Sequence, residues 1–268
     1  MRILHICPNA YYNYINSRKS AYYTHKEAVK QQIQDIYHFH NGVVGCRAVR
    51  AYLLKQGCCL STLTVHKYMN KELGLKSNVR PKKPAYEYGK AHTTFDNKLN
   101  QDFTAKEINN KWCTEFTYFF LANNEVRYNC TIIDLHDRSV IASITDRNIA
   151  SNLAIRTLKK ALDSQPKIQG ELILHSDQGV QFTAKAFTEF CKENNITQSM
   201  SKAGYPYDNA PMERYFNMLK NECINLYDFK TEEALYKAVS DFAYVEYNYV
   251  RPHSYNNYAT PNEARIAS

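Results

Sequence analysis

Asp177, Glu213 and Lys220 are the residues whose types and spacing in this sequence suggest chemistry. Asp177 ends a short apolar run, Leu172-Ile173-Leu174, that passes through His175-Ser176 and gives way to Asp-Gln-Gly. A run of that length bounded by turn formers reads as a buried strand with a carboxylate at its carboxyl end. Thirty-six positions later, Glu213 lies in the first turn of a segment in which Met212, Tyr215, Phe216, Leu219 and Cys223 keep the spacing of a buried helical stripe. Glu213, Asn217 and Lys220 fall on another face of that helix, because seven residues at about 100° each nearly complete two turns. One acid at a strand end, a second on a helix and a lysine beyond it suit two divalent metals held by carboxylates, with a cation to receive a phosphate backbone. Taken singly, each acid has a plainer use. An Asp after a strand is ordinarily a turn residue, and a Glu in a first helical turn ordinarily complements the helix dipole.

The elements that must position these residues follow from the apolar pattern. WCTEFTYFFL alternates, with Trp112, Thr114, Phe116 and Tyr118 on one side and Cys113, Glu115 and Thr117 on the other. RYNCTIID and RSVIASIT read as two further strands, separated by turns at Asn123-Asn124 and His136-Asp137. A helix with Ile149, Leu153, Leu158 and Leu162 leads to the strand that ends in Asp177. A helix carrying Phe187, Phe190 and Cys191 and a short strand, Ile196-Thr197-Gln198-Ser199, come next. Three antiparallel strands followed by alternating helix and strand predict an α/β fold: a mixed five-stranded sheet flanked by helices, over residues 111–268. Beyond Glu213, Thr231 caps a helix with Glu232 and Glu233 in its first turn and Leu235, Ala238, Val239, Phe242, Val245 and Tyr249 as its buried stripe. Arg251-Pro252-His253-Ser254 then reads as extended, since Pro disfavours helix before it.

Residues 1–74 read as a small helical domain. Val29, Ile33, Ile36 and Tyr37 mark one helix, and Val44, Ala48, Val49, Tyr52 and Leu53 mark a second that stops at Gly57. Ser61 caps a third, with Leu63, Met69 and Leu73, which ends at Gly74. The tight connection between the last two is compatible with a helix-turn-helix, on which Arg47, Arg50, Lys55, Lys67 and Lys71 would face phosphates; an ordinary helical bundle with solvated lysines fits the pattern equally. Residues 75–110 read as a basic linker, with Pro81, Pro84, Lys76, Arg80, Lys82, Lys83 and Lys90 and no apolar period.

Across its 268 residues the chain carries Lys+Arg 34 against Asp+Glu 26, a net charge of +8 that is compatible with a nucleic-acid partner without demanding one. The eight cysteines form no Cys-x-x-Cys pair, and the histidines have no paired metal spacing, so reduced thiols and no structural zinc are expected. No apolar run reaches membrane length, and Ile3-Leu4-His5-Ile6 is too short and interrupted for a signal peptide.

The words LHSDQGVQF, SMSKAGYPYDNAPMERYFNMLKNE and YNYVRPHSYNNYATPNEA resemble the catalytic core of the retroviral-integrase superfamily, and most closely the transposases of the insertion-sequence-three family. In that family the second and third acids of an Asp-Asp-Glu triad are separated by 35 residues, as Asp177 and Glu213 are here. The resemblance runs from about Ile3 to Ala264. It implies a ribonuclease H-like fold and a helix-turn-helix-like region near the amino terminus. It also implies metal-dependent cleavage and strand transfer at insertion-sequence ends, with two Mg²⁺ or Mn²⁺ ions. The family's first acid lies in a word of the form Trp-x-Thr-Asp-x-Thr-Tyr; here the word is Trp112-Cys113-Thr114-Glu115-Phe116-Thr117-Tyr118, with Glu115 in place of Asp. The implied ligands are therefore Glu115, Asp177 and Glu213. Lys220 and Lys202, with Arg47, Arg50 and Lys67 near the amino terminus, are implied DNA contacts, and Arg251 and His253 are either backbone contacts or structural. Implied partners are transposon-end and target DNA, further copies of the chain, and the product of an upstream reading frame that carries its own helix-turn-helix. This sequence opens at Met1 without such a segment, so it is expected to lack the specific reader of transposon ends; the expected localisation is cytoplasmic and nucleoid-associated. The Glu115 departure leaves open a catalytically weakened relic that regulates by binding DNA or transposase. A ribonuclease H-like nuclease acting on hybrids fits less well with the words after Glu213.

Overall fold

The computed structural model describes residues 7–17, 19–78, 93–165, 168 and 170–268. The chain divides into two compact units, 1–79 and 80–268. In the first, α1 (Pro8–Ile15), α2 (Ser20–Phe39), α3 (Cys46–Lys55) and α4 (Thr62–His66) follow in order, α4 running on into a π-helical turn, Lys67–Glu72. Val29, Ile33, Val49, Leu53, Val65 and Met69 form its core. The chain leaves α3 through Gly57 at φ +82, a left-handed conformation that glycine adopts without strain. Ser61 Oγ then accepts the Thr64 N–H at 3.1 Å and caps α4 as expected. Leu63, read from the pattern as buried, is 82% exposed, because the buried face is Val65, Tyr68 and Met69, and Leu63 lies about 200° round the helix from Val65.

The second unit holds the expected sheet. Its strands are β1 (Lys111–Phe120), β2 (Val126–Asp134), β3 (Val140–Asp146), β4 (Leu172–Ser176) and β5 (Ile196–Met200), in the spatial order β3-β2-β1-β4-β5. β1, β2 and β3 pair antiparallel; β1 with β4 and β4 with β5 pair parallel. Connecting and covering helices are α5 (Ser151–Ser164), α6 (Val180–Thr183), α7 (Lys185–Glu193), α8 (Ala210–Glu222) and α9 (Glu232–Asp241), with α10 (Pro261–Ile266) at the carboxyl end. Alternation along β1 splits the core in two. Trp112 packs with Leu153, Leu158, Phe187 and Cys191 of α5 and α7, while Cys113 and Phe119 pack with Met212, Tyr215 and Leu219 of α8 and with Leu235 and Val239 of α9.

Two expectations are corrected here. Residues 93–110 are not a linker: they form no helix or strand, yet Leu99 is buried in the α8-side core, Phe95 and Phe103 pack on the two cores, and Lys98 N–H donates to Ser199 Oγ at 2.9 Å. Isolated apolar anchors hold this stretch, and anchors without a period leave no amphipathic pattern in the sequence. Arg80, Pro81, Lys82, Lys83, Pro84 and Lys90 lie outside the described residues. The second correction concerns Val245 and Tyr249, which are 56% and 60% exposed. After α9 the helix continues as a π-helix, Phe242–Val250, whose i→i+5 bonding widens the turn. The inward residues become Phe242, Ala243, Tyr247 and Asn248 in place of the 3.6-residue stripe.

Candidate active site

Glu115 lies in the middle of β1, and Asp177 immediately follows β4. The parallel register ends at the pair Cys113 and His175, so Glu115 and Asp177 each lie two residues beyond the last paired position. Glu213 comes from the first turn of α8, on the face of the sheet to which Glu115 points. Local sequence places α8 well: Pro211 starts it, Glu213 meets its positive end and Lys220 its negative end.

Each acid sits in a different environment. Burial pushes the Asp177 carboxyl above the ordinary aspartate range, offset by the Gly179 N–H, which donates to Oδ1 at 3.0 Å. A Cβ on Gly179 would stand 2.9 Å from Asp177 Oδ1, so a larger residue there would push that carboxylate aside. Glu115 Oε2 accepts from Asn209 Nδ2 at 3.2 Å. Lys220 Nζ lies 5.0 Å from the centre of the Tyr118 ring. Burial draws the Lys220 ammonium below the usual lysine range, and the charges of Glu115 and Glu213 push it back up. The lysine and two of the three acids therefore share one electrostatic neighbourhood.

The donors are carboxylate oxygens, the ligands that hard divalent cations take. Among the described residues no three of His, Cys, Asp and Glu close around a common point. Glu115, Asp177 and Glu213 come from β1, the end of β4 and the first turn of α8 and are not gathered into a cluster of ligands.

Behind the acids stands a polar support that pattern reading missed. Asp208 is buried and accepts from Gln101 Nε2 at 2.9 Å, and from Asn97 Nδ2 and the Lys202 N–H, both at 3.0 Å. Next to it, Asn209 sends its amide to β1 and leaves Oδ1 buried and unpaired among the described residues, at a cost of about 1–3 kcal/mol. The Asp-Asn pair ahead of the helix was visible in the sequence but reads there only as turn chemistry.

The expected DNA contacts divide. Arg47, Lys67 and Lys202 are exposed, whereas Arg50 donates through Nε to Leu60 O at 2.8 Å and steadies the turn. Arg251 forms a two-bond fork with Glu222, 2.7 Å in each arm, which is a structural pairing of tail to α8. His253 is partly buried against Tyr247. Asp134 is a structural residue: it is buried and accepts the Asn109 and His136 N–H groups at 2.7 and 2.9 Å.

A helical unit and a mixed sheet in the order β3-β2-β1-β4-β5 fit the class that comparison with known proteins identifies. Residues 105–206 and 194–261 match the family described as Integrase core domain, and residues 24–83 match the HTH-like domain. The chain is 33% identical to the putative transposase InsK for insertion sequence element IS150 of Escherichia coli over 242 residues, covering 85% of this chain and 82% of InsK. It is 27% identical to the transposase for insertion sequence element IS904 of Lactococcus lactis over 249 residues, 93% of this chain and 98% of that protein. A simian T-cell lymphotropic virus intasome structure, in complex with the PP2A regulatory subunit B56 gamma, shares the fold at a TM-score of 0.51 and 16% identity, over 87% of this chain and 74% of that one. The chain belongs to the IS3 family of insertion-sequence transposases.

Proposed function

We propose that this chain cleaves and joins DNA strands at insertion-sequence ends, with Glu115, Asp177 and Glu213 as its acids. The observation that carries the reading is the half-buried Lys220, which shares α8 with Glu213, sits over the Tyr118 ring of β1 and feels the charges of Glu115 and Glu213. A magnesium or manganese ion bound by these carboxylates would supply Lewis-acid stabilisation at a phosphodiester oxygen and activate a water or a terminal hydroxyl. The chain's own residues do the rest. Lys220 receives a non-bridging phosphate oxygen, and the ring of Tyr118 holds the ammonium in place. Exposed Lys202, on the turn ahead of the site, tracks the backbone, and Arg47 and Lys67 add contacts from the helical unit. Two ions, assembly of several copies on paired ends, and an upstream product that reads those ends belong to the same proposal.

The test is cleavage of labelled insertion-sequence ends in magnesium or manganese. Asp177→Asn and Glu213→Gln should each abolish it while leaving the circular dichroism spectrum unchanged; undiminished cleavage by either variant refutes the assignment. A regulator that binds DNA without cutting it is the second reading, favoured by Glu115, whose extra methylene stands where magnesium needs oxygens at about 2.0–2.1 Å. Tight binding to ends with no cleavage in either metal decides for it.

A further inference from the structure

Asn209 occupies the N-cap position of α8 and does not cap the helix. Asparagine there ordinarily turns its oxygen onto a free N–H of the first turn. Here the side chain points into the sheet instead. Nδ2 donates both to Thr114 O at 3.3 Å and to Glu115 Oε2 at 3.2 Å, and the residue is 4% exposed. Oδ1 is buried with no partner among the described residues. A side chain that forgoes its cap and leaves a carbonyl unpaired is held by what its amide grips. Its neighbour is fixed as well: three donors converge on Asp208 and immobilise the turn from which Asn209 reaches out.

We propose that Asn209 is the positioning residue for the first acid of the site. It bridges the β1 backbone and the Glu115 carboxylate, so the longer glutamate arm is held against the strand from which it comes. The inference rests on the transposase reading of the three acids. Glutamate has one more rotatable bond than aspartate, and an unheld arm sweeps its carboxylate over distances that matter for in-line displacement. An aspartate at 115 ends one methylene nearer the strand, where the bridge has less to correct. The helix cap is given up for a service that only the longer acid needs.

The experiment is a double-mutant cycle on the full chain: Asn209→Ala and Asn209→Asp, each alone and combined with Glu115→Asp. Two readouts are taken, cleavage of labelled ends and the urea midpoint of the metal-free protein. Either Asn209 variant should slow cleavage about ten- to a hundredfold beside Glu115, and change it by no more than about twofold in the Glu115→Asp background. The urea midpoints should show coupling of the same sign. Asn209→Asp keeps the shape but replaces the donor with a second acid, separating the grip from packing and preserving the test if the alanine variant fails to fold. Equal losses in both backgrounds overturn the proposal. If the native chain cuts no DNA, the transposase reading falls on that result and the urea cycle alone decides the grip: coupling supports it and additivity overturns it.

Discussion

In the proposed site Glu115 and Gly179 would set the distances, one through the length of its side chain and the other by having none. The β1 backbone is fixed by its neighbours on both sides, so the extra methylene of Glu115 must be absorbed by its rotamer. Replacing Glu115 with Asp should raise strand cleavage by roughly ten- to a thousandfold, since displacement near 1 Å costs about a hundredfold. Equal rates, with both proteins equally folded, would show that glutamate is the native ligand. At Gly179 the effect runs the other way. A methyl group there would displace the Asp177 carboxylate that Gly179 N–H now holds, so Gly179→Ala should cut the cleavage rate at least about tenfold with little change in thermal midpoint. Asp177, Glu213 and Lys220 stand out as candidates in the sequence because motif words and spacing mark them. Asn209 was not, because its role depends on β1, nearly a hundred positions away in the chain, and no local pattern reports that contact.

At the scale of elements, the sheet and the cover helices were readable from period alone, and the carboxyl-terminal tail was not. α10 starts with a capping box in which Thr260 and Glu263 satisfy each other's backbone groups, with Pro261 in the first turn; the word Thr-Pro-Asn-Glu carries that signal. It delivers Arg265 to the buried pair Asp134 and Asp137, the latter at 2.6 Å, and on to Gln165 Oε1 at 2.7 Å. Removing the guanidinium leaves two buried carboxylates uncompensated. Arg265→Ala should therefore cost about 3–5 kcal/mol in urea unfolding, and Arg265→Lys should restore little, because a lysine cannot span the fork. His253, at the other end of the tail, gives a pH dependence. Burial and the cations Arg251, Arg138 and Arg214 hold its imidazole down at about 3. The unfolded chain takes that proton near pH 6.5, so between roughly pH 6.5 and 3 it binds more protons than the folded one. Stability from this residue is present above that window and is lost as pH falls through it. His253→Asn should remove about 1–2 kcal/mol of acid sensitivity between roughly pH 6.5 and 4, read from urea midpoints.

At the scale of the whole molecule, the proposed function implies two kinds of DNA contact, one from each unit, and salt would separate them. Lys220 of the core is half-buried and lies within the fields of Glu115 and Glu213, so its contact should respond weakly to bulk ions. Arg47 and Lys67 on the helical unit are exposed, and every phosphate such residues neutralise releases counterions. Log affinity for a duplex of arbitrary sequence should then fall linearly with log salt, with a slope of about −0.9 for each phosphate contact. Changing Arg47 and Lys67 together to Gln should flatten the slope by about two, while Lys220→Gln should abolish cleavage and move the slope by no more than about one. Removing residues 1–79, which form a compact unit with a core of their own, should flatten it further. The measurement is a filter-binding or anisotropy titration of one labelled duplex at several salt concentrations, with each protein shown to be folded. A slope unchanged by the double substitution and by the deletion would place the phosphate contacts on the core, and the helical unit would then be a bundle with solvated lysines.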